Sequence, residues 1–356
     1  MFAQLHQLSG FEFANLTLLI GVLVAANLRR VTNVNPGGIV ASGFLILAFI
    51  SSVWWALALV LASIFIATAY KCFFSHIYIG RQPMFIMAGI SVVLMSILSV
   101  IMQYFHLLPS DNLSLPLGLI LPAILGATIY KQGIPQTFHH TGLSILLTAT
   151  LLAVIYTISR KLGHDFHQLD RLIADRESLH LAWGSLLSLA SIIIGFVMYK
   201  IRGVKSAGYI VLPMLASMLI ISPLNFGLIV GLTIVIYAMI SVMKHYSLLV
   251  GVGRYSFILV VAIMLVWTAE YVLLHSTSQF SPFMGTSIFA ALAIAVIINE
   301  HNAYGVRKAA PALALSLLVM TCVEIGGIAT VQTATHQPVN LHNLTVSAES
   351  RRMATQ

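Results

Sequence analysis

From Met84 to Gln103 the chain runs for twenty residues without one ionisable side chain, and Phe13–Asn27 and Ser256–Ala269 are of the same kind. A helix needs about 20 apolar residues to cross a hydrocarbon core roughly 30 Å thick. Only 8% of the 356 residues are charged, against about 25% in soluble domains, so most of the chain has no polar face to offer water. In lipid every backbone N–H and C=O must be satisfied within the protein, which leaves helices or closed barrels. Barrel strands alternate over roughly 10 residues, and these runs are too long and too continuously apolar for that. The expected fold is all-α and polytopic. The first run starts near Phe11 after an uncharged leader without a basic n-region or cleavage site, so it reads as a retained span. Cys72 lies beside Lys71 and Cys322 deep in the last run, and the two are not expected to pair.

Landmarks recur at an offset of roughly 170 to 174 residues. Leu19-Ile20-Gly21 before Arg29-Arg30 resembles Ile193-Ile194-Gly195 before Lys200-Ile201-Arg202, and Asn35-Pro36-Gly37-Gly38 resembles Lys205-Ser206-Ala207-Gly208. Tyr78-Ile79-Gly80-Arg81 resembles Gly251-Val252-Gly253-Arg254, and the run from Gly118 to Lys131-Gln132 resembles that from Gly285 to Asn299-Glu300. Each copy then reads as six segments, twelve in all. The first copy has 12–28, a hairpin over 37–70 broken at Ser51-Ser52, then 84–105, 115–130 and 139–158. The second has 181–199, a hairpin over 207–243 broken at Ser222-Pro223-Leu224-Asn225, then 256–274, 284–298 and 309–330. Two full crossings want about 20 residues each, so the hairpin arms are expected to be short, tilted or re-entrant. The first membrane repeat is placed at 1–158, a charged linker at 159–180, the second repeat at 181–331 and a polar tail at 332–356. Phe166, Leu169, Leu172 and Ile173 give the linker an amphipathic helical spacing suited to a membrane surface.

Lys and Arg prefer short cytoplasmic loops. Loops after odd-numbered segments hold twelve of the 18 basic residues, among them Arg29, Arg30, Lys71, Arg81, Lys131, Arg254 and Arg307. Four of the other six sit in the linker beside Asp165, Asp170, Asp175 and Glu177. This predicts a multi-pass protein of the cytoplasmic (inner) membrane with both termini outward. An even segment count gives both copies one orientation, so two parallel repeats are expected rather than an inverted pair.

Chemistry-bearing patterns are few. There is no Gly-Lys-Ser/Thr phosphate loop, no Gly-x-Ser-x-Gly elbow and no His-Glu-x-x-His. His139-His140 and His164/His167 invite a metal reading, but adjacent histidines do not share a helix face and no further ligands accompany them; no metal and no cofactor is expected. Glu270 and Glu324 lie late in their spans without counterparts in the first copy, and intramembrane acids have either a structural role or one in transport. A net charge of +8 concentrated inward is in large part ordinary positive-inside bias. Its functional reading is that Arg81, Arg254, Lys131 and Arg307 line the inner mouth of a path for an anion. Gly80 and Gly253 beside two of them would let backbone N–H groups join at a helix start.

Leu117-Gly118-Leu119-Ile120-Leu121-Pro122, followed by Ala127-Thr128-Ile129-Tyr130-Lys131-Gln132-Gly133-Ile134-Pro135-Gln136-Thr137, resembles a known family. The stretch looks like the membrane subunit of the poly-γ-glutamate synthesis machinery, the PgsC or CapC family. Pro36-Gly37-Gly38-Ile39-Val40 with Gly43-Phe44, and Tyr78-Ile79-Gly80-Arg81, are similar to two further landmarks of that family. The resemblance covers about 15–155 well and 190–330 faintly, so the chain looks like two fused units. The second copy departs from the pattern: Phe289 stands for Pro122, and Asn299-Glu300-His301-Asn302 for Lys131-Gln132-Gly133-Ile134.

What the resemblance implies is a membrane subunit without catalytic activity of its own, in an ATP-dependent amide-ligase complex. Its partners would be a cytoplasmic Mur-ligase-like ligase, an outward-facing polymer-release or transport subunit, and membrane lipid; no nucleic acid is expected. Polymer or partner contact falls to Arg81, Lys131, Arg254 and Arg307. Pro36, Gly37, Gly38, Gly80, Pro122, Gly133, Pro135 and Gly253 would shape broken or closely packed helices. The rival expectation is a secondary transporter for a small anion or amino acid, with Glu270 or Glu324 coupling protons.

Overall fold

A helix closes its own backbone hydrogen bonds where no water can, and helices make up the protein. The computed structural model describes residues 2–75, 83–105, 107, 118–119, 121–161, 179–205, 208–246, 252–276 and 287–335. Among these residues there are twelve α-helices and no strand. The first six are α1 (Phe2–Thr32), α2 (Ala41–Ser51), α3 (Val53–Ala69, continued by a π-turn at Tyr70–Phe74), α4 (Pro83–Tyr104), α5 (Leu121–Gln132) and α6 (Ile134–Lys161). The second six are α7 (Leu179–Arg202), α8 (Gly208–Ile221), α9 (Pro223–Tyr246), α10 (Val252–Ser276), α11 (Ser287–Tyr304) and α12 (Val306–Thr335). The core of the expected linker, 162–178, and the tail from 336 lie outside the described residues.

Among the described residues, eight helices are long and apolar enough to cross a membrane: α1, α3, α4 and α6, then α7, α9, α10 and α12. Their outer faces carry exposed Leu61, Leu146, Ile193 and Ile234, an apolar surface that only lipid suits. The chain is an all-helical polytopic membrane protein. The other four helices are shorter. Of the run expected to span 115–130, residues 115–117 and 120 lie outside the described residues; α5 is a helix of 12 residues that rises about 18 Å. Pro122 sits in its first turn, where a missing N–H costs no helical bond, and Pro135 does the same in α6.

Both hairpins break where serine stands. Ser52 is extended (φ −162°, ψ 123°); its hydroxyl accepts from the Trp55 N–H at 3.3 Å to cap α3 and donates to the Leu107 carbonyl at 3.1 Å. The corresponding break at Ser222 precedes Pro223, the first residue of α9.

The neighbour scheme of α1–α6 recurs in α7–α12. α1 packs on α2 and α6, α2 on α3, α5 and α6, α3 on α4 and α5, and α5 on α4 and α6. Each of these contacts has its counterpart among α7–α12. Between the halves, α1 meets α10 and α7 meets α4, which are again equivalent pairs. The short helices α2 and α5 touch, as do α8 and α11. The α1–α2 crossing depends on small residues: a Cβ at Gly21 would lie 2.8 Å from the Gly43 nitrogen, and one at Gly43 would lie 2.9 Å from Leu18 Cδ2. Ser42 Oγ donates across the same contact to the Gly21 carbonyl at 3.3 Å.

Candidate inner-corner site and seam cavity

The segment from α1 to α2 turns sharply inside the protein. Asn33 ends α1 with φ +57°, and Gly37 and Gly38 follow with φ +71° and +112°, values that a side chain strongly disfavours. Pro36, Gly37 and Gly38 are buried. A Cβ at Gly37 would lie 2.5 Å from Leu125 Cδ1 and 2.8 Å from Thr141 Oγ1, and one at Gly38 would lie 2.8 Å from Ile124 Cγ2. The segment is thus wedged against α5 and α6. Gln132, the last residue of α5, holds it there. With its amide turned so that donor faces acceptor, Gln132 donates to the Asn35 carbonyl at 3.0 Å and accepts from the Asn35 N–H at 2.9 Å.

Gly133 (φ +85°) then turns α5 into α6, and Thr137 Oγ1 donates back to its carbonyl at 2.8 Å. Two sequence landmarks about a hundred residues apart, Asn35-Pro36-Gly37-Gly38 and Lys131-Gln132-Gly133-Ile134-Pro135, therefore form one corner. In the second half the same turn is made by Gly305 (φ +80°), between α11 and α12. Matching His301 to Gly133 was therefore out of register by four positions; the second copy keeps its corner glycine.

Beside this corner lies a cavity of about 360 Å³ lined by Arg29, Asn35, Ile39, Val40, Ile124, Tyr255 and Asn299. It bridges the halves: Tyr255 comes from α10 and Asn299 from α11. Ile39 and Val40 bring the start of α2 to its wall, and no side chain caps that helix. The half-buried Arg29 has no ion pair or hydrogen bond from its guanidinium among the described residues. Asn35 Oδ1 is buried without a partner.

Of the expected contact residues, Lys131 is exposed next to the Gln132 clamp and Arg307 is exposed in the first turn of α12. Arg254 is half-buried in the first turn of α10, its Nε buried without a partner, and Gly253 before it is exposed with open space around it. Gly80 and Arg81 lie outside the described residues. Glu270 and Glu324 are both buried. Ser217 Oγ donates to Glu324 Oε1 at 2.6 Å, while Oε2 has no partner among the described residues. His139 and His140 stack edge to face, and no described His, Cys, Asp or Glu residues group as metal ligands. Cys72 and Cys322 are free.

Sequence reasoning did not single out Asn35, Tyr255 or Asn299 as site residues, although Asn35 and Asn299 lay inside quoted landmarks and Tyr255 directly after one. Arg29 was hidden in the inward charge bias. The signal that could have found them is adjacency to the corner motifs.

No curated protein and no solved structure matches the chain. The family model described as capsule biosynthesis CapC matches residues 20–138 and 190–283. The first stretch runs from α1 through the clamp and Gly133 to the start of α6, and the second from α7 to beyond α10. With more than half its residues matched by that model, the chain belongs to the capsule biosynthesis CapC family.

Proposed function

We propose that the chain is a non-catalytic membrane subunit of a poly-γ-glutamate capsule synthesis and export complex, built as two fused six-segment units. It scaffolds a cytoplasmic ATP-dependent ligase and helps the polyanion across the membrane to an outward-facing release subunit. The observation that carries this reading is the family match over both halves, with its first stretch ending on the corner where Gln132 clamps Asn35. The physical support is charge. Arg29, Lys131 and Arg307 have no carboxylate partner among the described residues, so they are available to a polyanion or to an acidic partner surface. The recurrence of one neighbour scheme in both halves supports the fusion.

Co-purification with the ligase tests the reading. Arg81→Ala and Lys131→Ala should each reduce ligase recovery or polymer yield severalfold while the protein stays in the membrane at wild-type level. Unchanged association and unchanged yield in both variants would remove these residues from the contact surface.

Orientation is a separate test. In a chain with Cys72 and Cys322 replaced by serine, Arg81→Cys and Arg254→Cys should both react with an impermeant maleimide only when the cytoplasmic face is opened. Reaction from opposite faces would overturn the parallel arrangement. A second reading, a secondary transporter, is favoured by the short helices that meet in both halves, a geometry such carriers use at their binding sites. Purified chain moving a labelled glutamate across liposomes without any partner would establish it.

A further inference from the structure

The two equivalent seams between the halves differ. Where α4 meets α7, Phe85 is buried and packs on Phe196 and Tyr199, each with a ring centroid 5.8 Å away. Gly195 closes on the same ring, with its Cβ position 3.4 Å from Phe85 Cε1. That seam is filled by rings. Where α1 meets α10, polar residues face the seam. Tyr199 stands three residues before the end of α7, and Arg29 three before the end of α1. Phe85 lies in the first turn of α4; the burial pattern of α4 repeats in α10 at an offset of 171, which puts Ser256 at the place of Phe85 and Tyr255 at that of Met84. With serine in place of the Phe85 ring and Arg29 in place of Tyr199, this seam is not filled by those rings; the 360 Å³ cavity lies there, with Arg29, Tyr255, Asn35 and Asn299 as its polar lining.

We infer that this cavity is a pocket for one oxyanion group, a carboxylate or a phosphate, held by Arg29 and hydrogen-bonded by Tyr255 and the two amides. A half-buried guanidinium facing a cavity with no protein partner lacks the carboxylate or hydrogen-bond acceptors that such a group ordinarily finds. The uncapped start of α2 at Val40 adds a positive dipole end to the same wall. Glu300 lies close enough to Tyr255 to act on it electrostatically, and it has an interaction of its own. The volume lies at the low end of small-molecule sites, about 300–1,000 Å³, which suits one residue of a polymer or one lipid headgroup. Only the identity of the ligand as polymer rests on the function proposed above; the pocket itself rests on the seam.

The test uses the full chain in nanodiscs of phosphatidylcholine, with γ-linked triglutamate and inorganic phosphate as probes, and a second set of nanodiscs containing phosphatidylglycerol. Wild type should bind one probe saturably. Arg29→Gln should weaken that binding about tenfold to a hundredfold, the worth of a charge-assisted contact. Arg29→Lys should keep part of it, and Tyr255→Phe should weaken it less. Gel filtration and thermal unfolding check that each variant is folded; should Arg29→Gln fail to fold, Tyr255→Phe carries the test. Triglutamate binding lost in Arg29→Gln supports the pocket and the polymer as its ligand. Retention of phosphatidylglycerol in native mass spectra, lost in the same variant while triglutamate never binds, supports the pocket and overturns the polymer as ligand. Equal binding of every probe by wild type and Arg29→Gln, or no binding at all, overturns the pocket and leaves ligase association standing.

Discussion

Gly37→Ala is expected to cost about 2–5 kcal/mol of stability, enough to remove most folded protein from the membrane. Two effects add. A residue with a Cβ held at φ +71° loses about 1–2 kcal/mol relative to glycine. The methyl group would also overlap Leu125 Cδ1 at 2.5 Å and Thr141 Oγ1 at 2.8 Å, and overpacking of this kind costs about 1–3 kcal/mol. The leucine tip can swing away, but the hydroxyl of Thr141 sits on a β-branched side chain with little rotamer freedom. Gly142→Ala is the control one residue further along α6. Its Cβ meets nothing within 4 Å, and alanine there should stabilise the helix by about 1 kcal/mol. Thermal unfolding of the two variants in one detergent reads the difference. A Gly37→Ala protein that melts with the wild type would show that the corner is not wedged as described.

The same residues show what could be read before any coordinates. Helical character and twelve segments follow from charge-free length, because a backbone in lipid has no alternative. The breaks at Ser52 and Ser222 were legible because serine at a helix start caps it, and Pro223 can only begin a helix. The Gln132–Asn35 clamp was not legible. Each residue stood in a recognised motif, but a pair far apart in the chain is joined only by the way α5 and α1 pack around α2. The cavity depended on still less, a Ser for a Phe and an Arg for a Tyr at equivalent places, which no periodicity records.

The glycines paired as landmarks of the duplication are not equivalent in the structure: Asn33 and Gly203, which end α1 and α7 with positive φ, put Gly21 opposite Ser191, not Gly195. Gly21 and Gly195 read alike in sequence, but their surroundings differ. A Cβ at Gly21 would lie 2.8 Å from the Gly43 nitrogen and 2.9 Å from its Cα, and backbone atoms cannot move aside without separating α1 from α2. A Cβ at Gly195 would meet only Phe85 Cε1, at 3.4 Å, ordinary contact with a ring edge. Gly21→Ala should therefore destabilise by about 1–3 kcal/mol, and Gly195→Ala, in a helix interior where alanine is favoured, should be neutral or stabilising by up to about 1 kcal/mol. The consequence reaches the site, because α2 begins at the cavity wall and a shifted α1 carries Arg29 with it. Gly21→Ala should lower polymer yield even in that fraction which remains folded, while Gly195→Ala should leave yield unchanged. Equal losses in both variants would remove the reason for placing the working geometry beside α1 and α2.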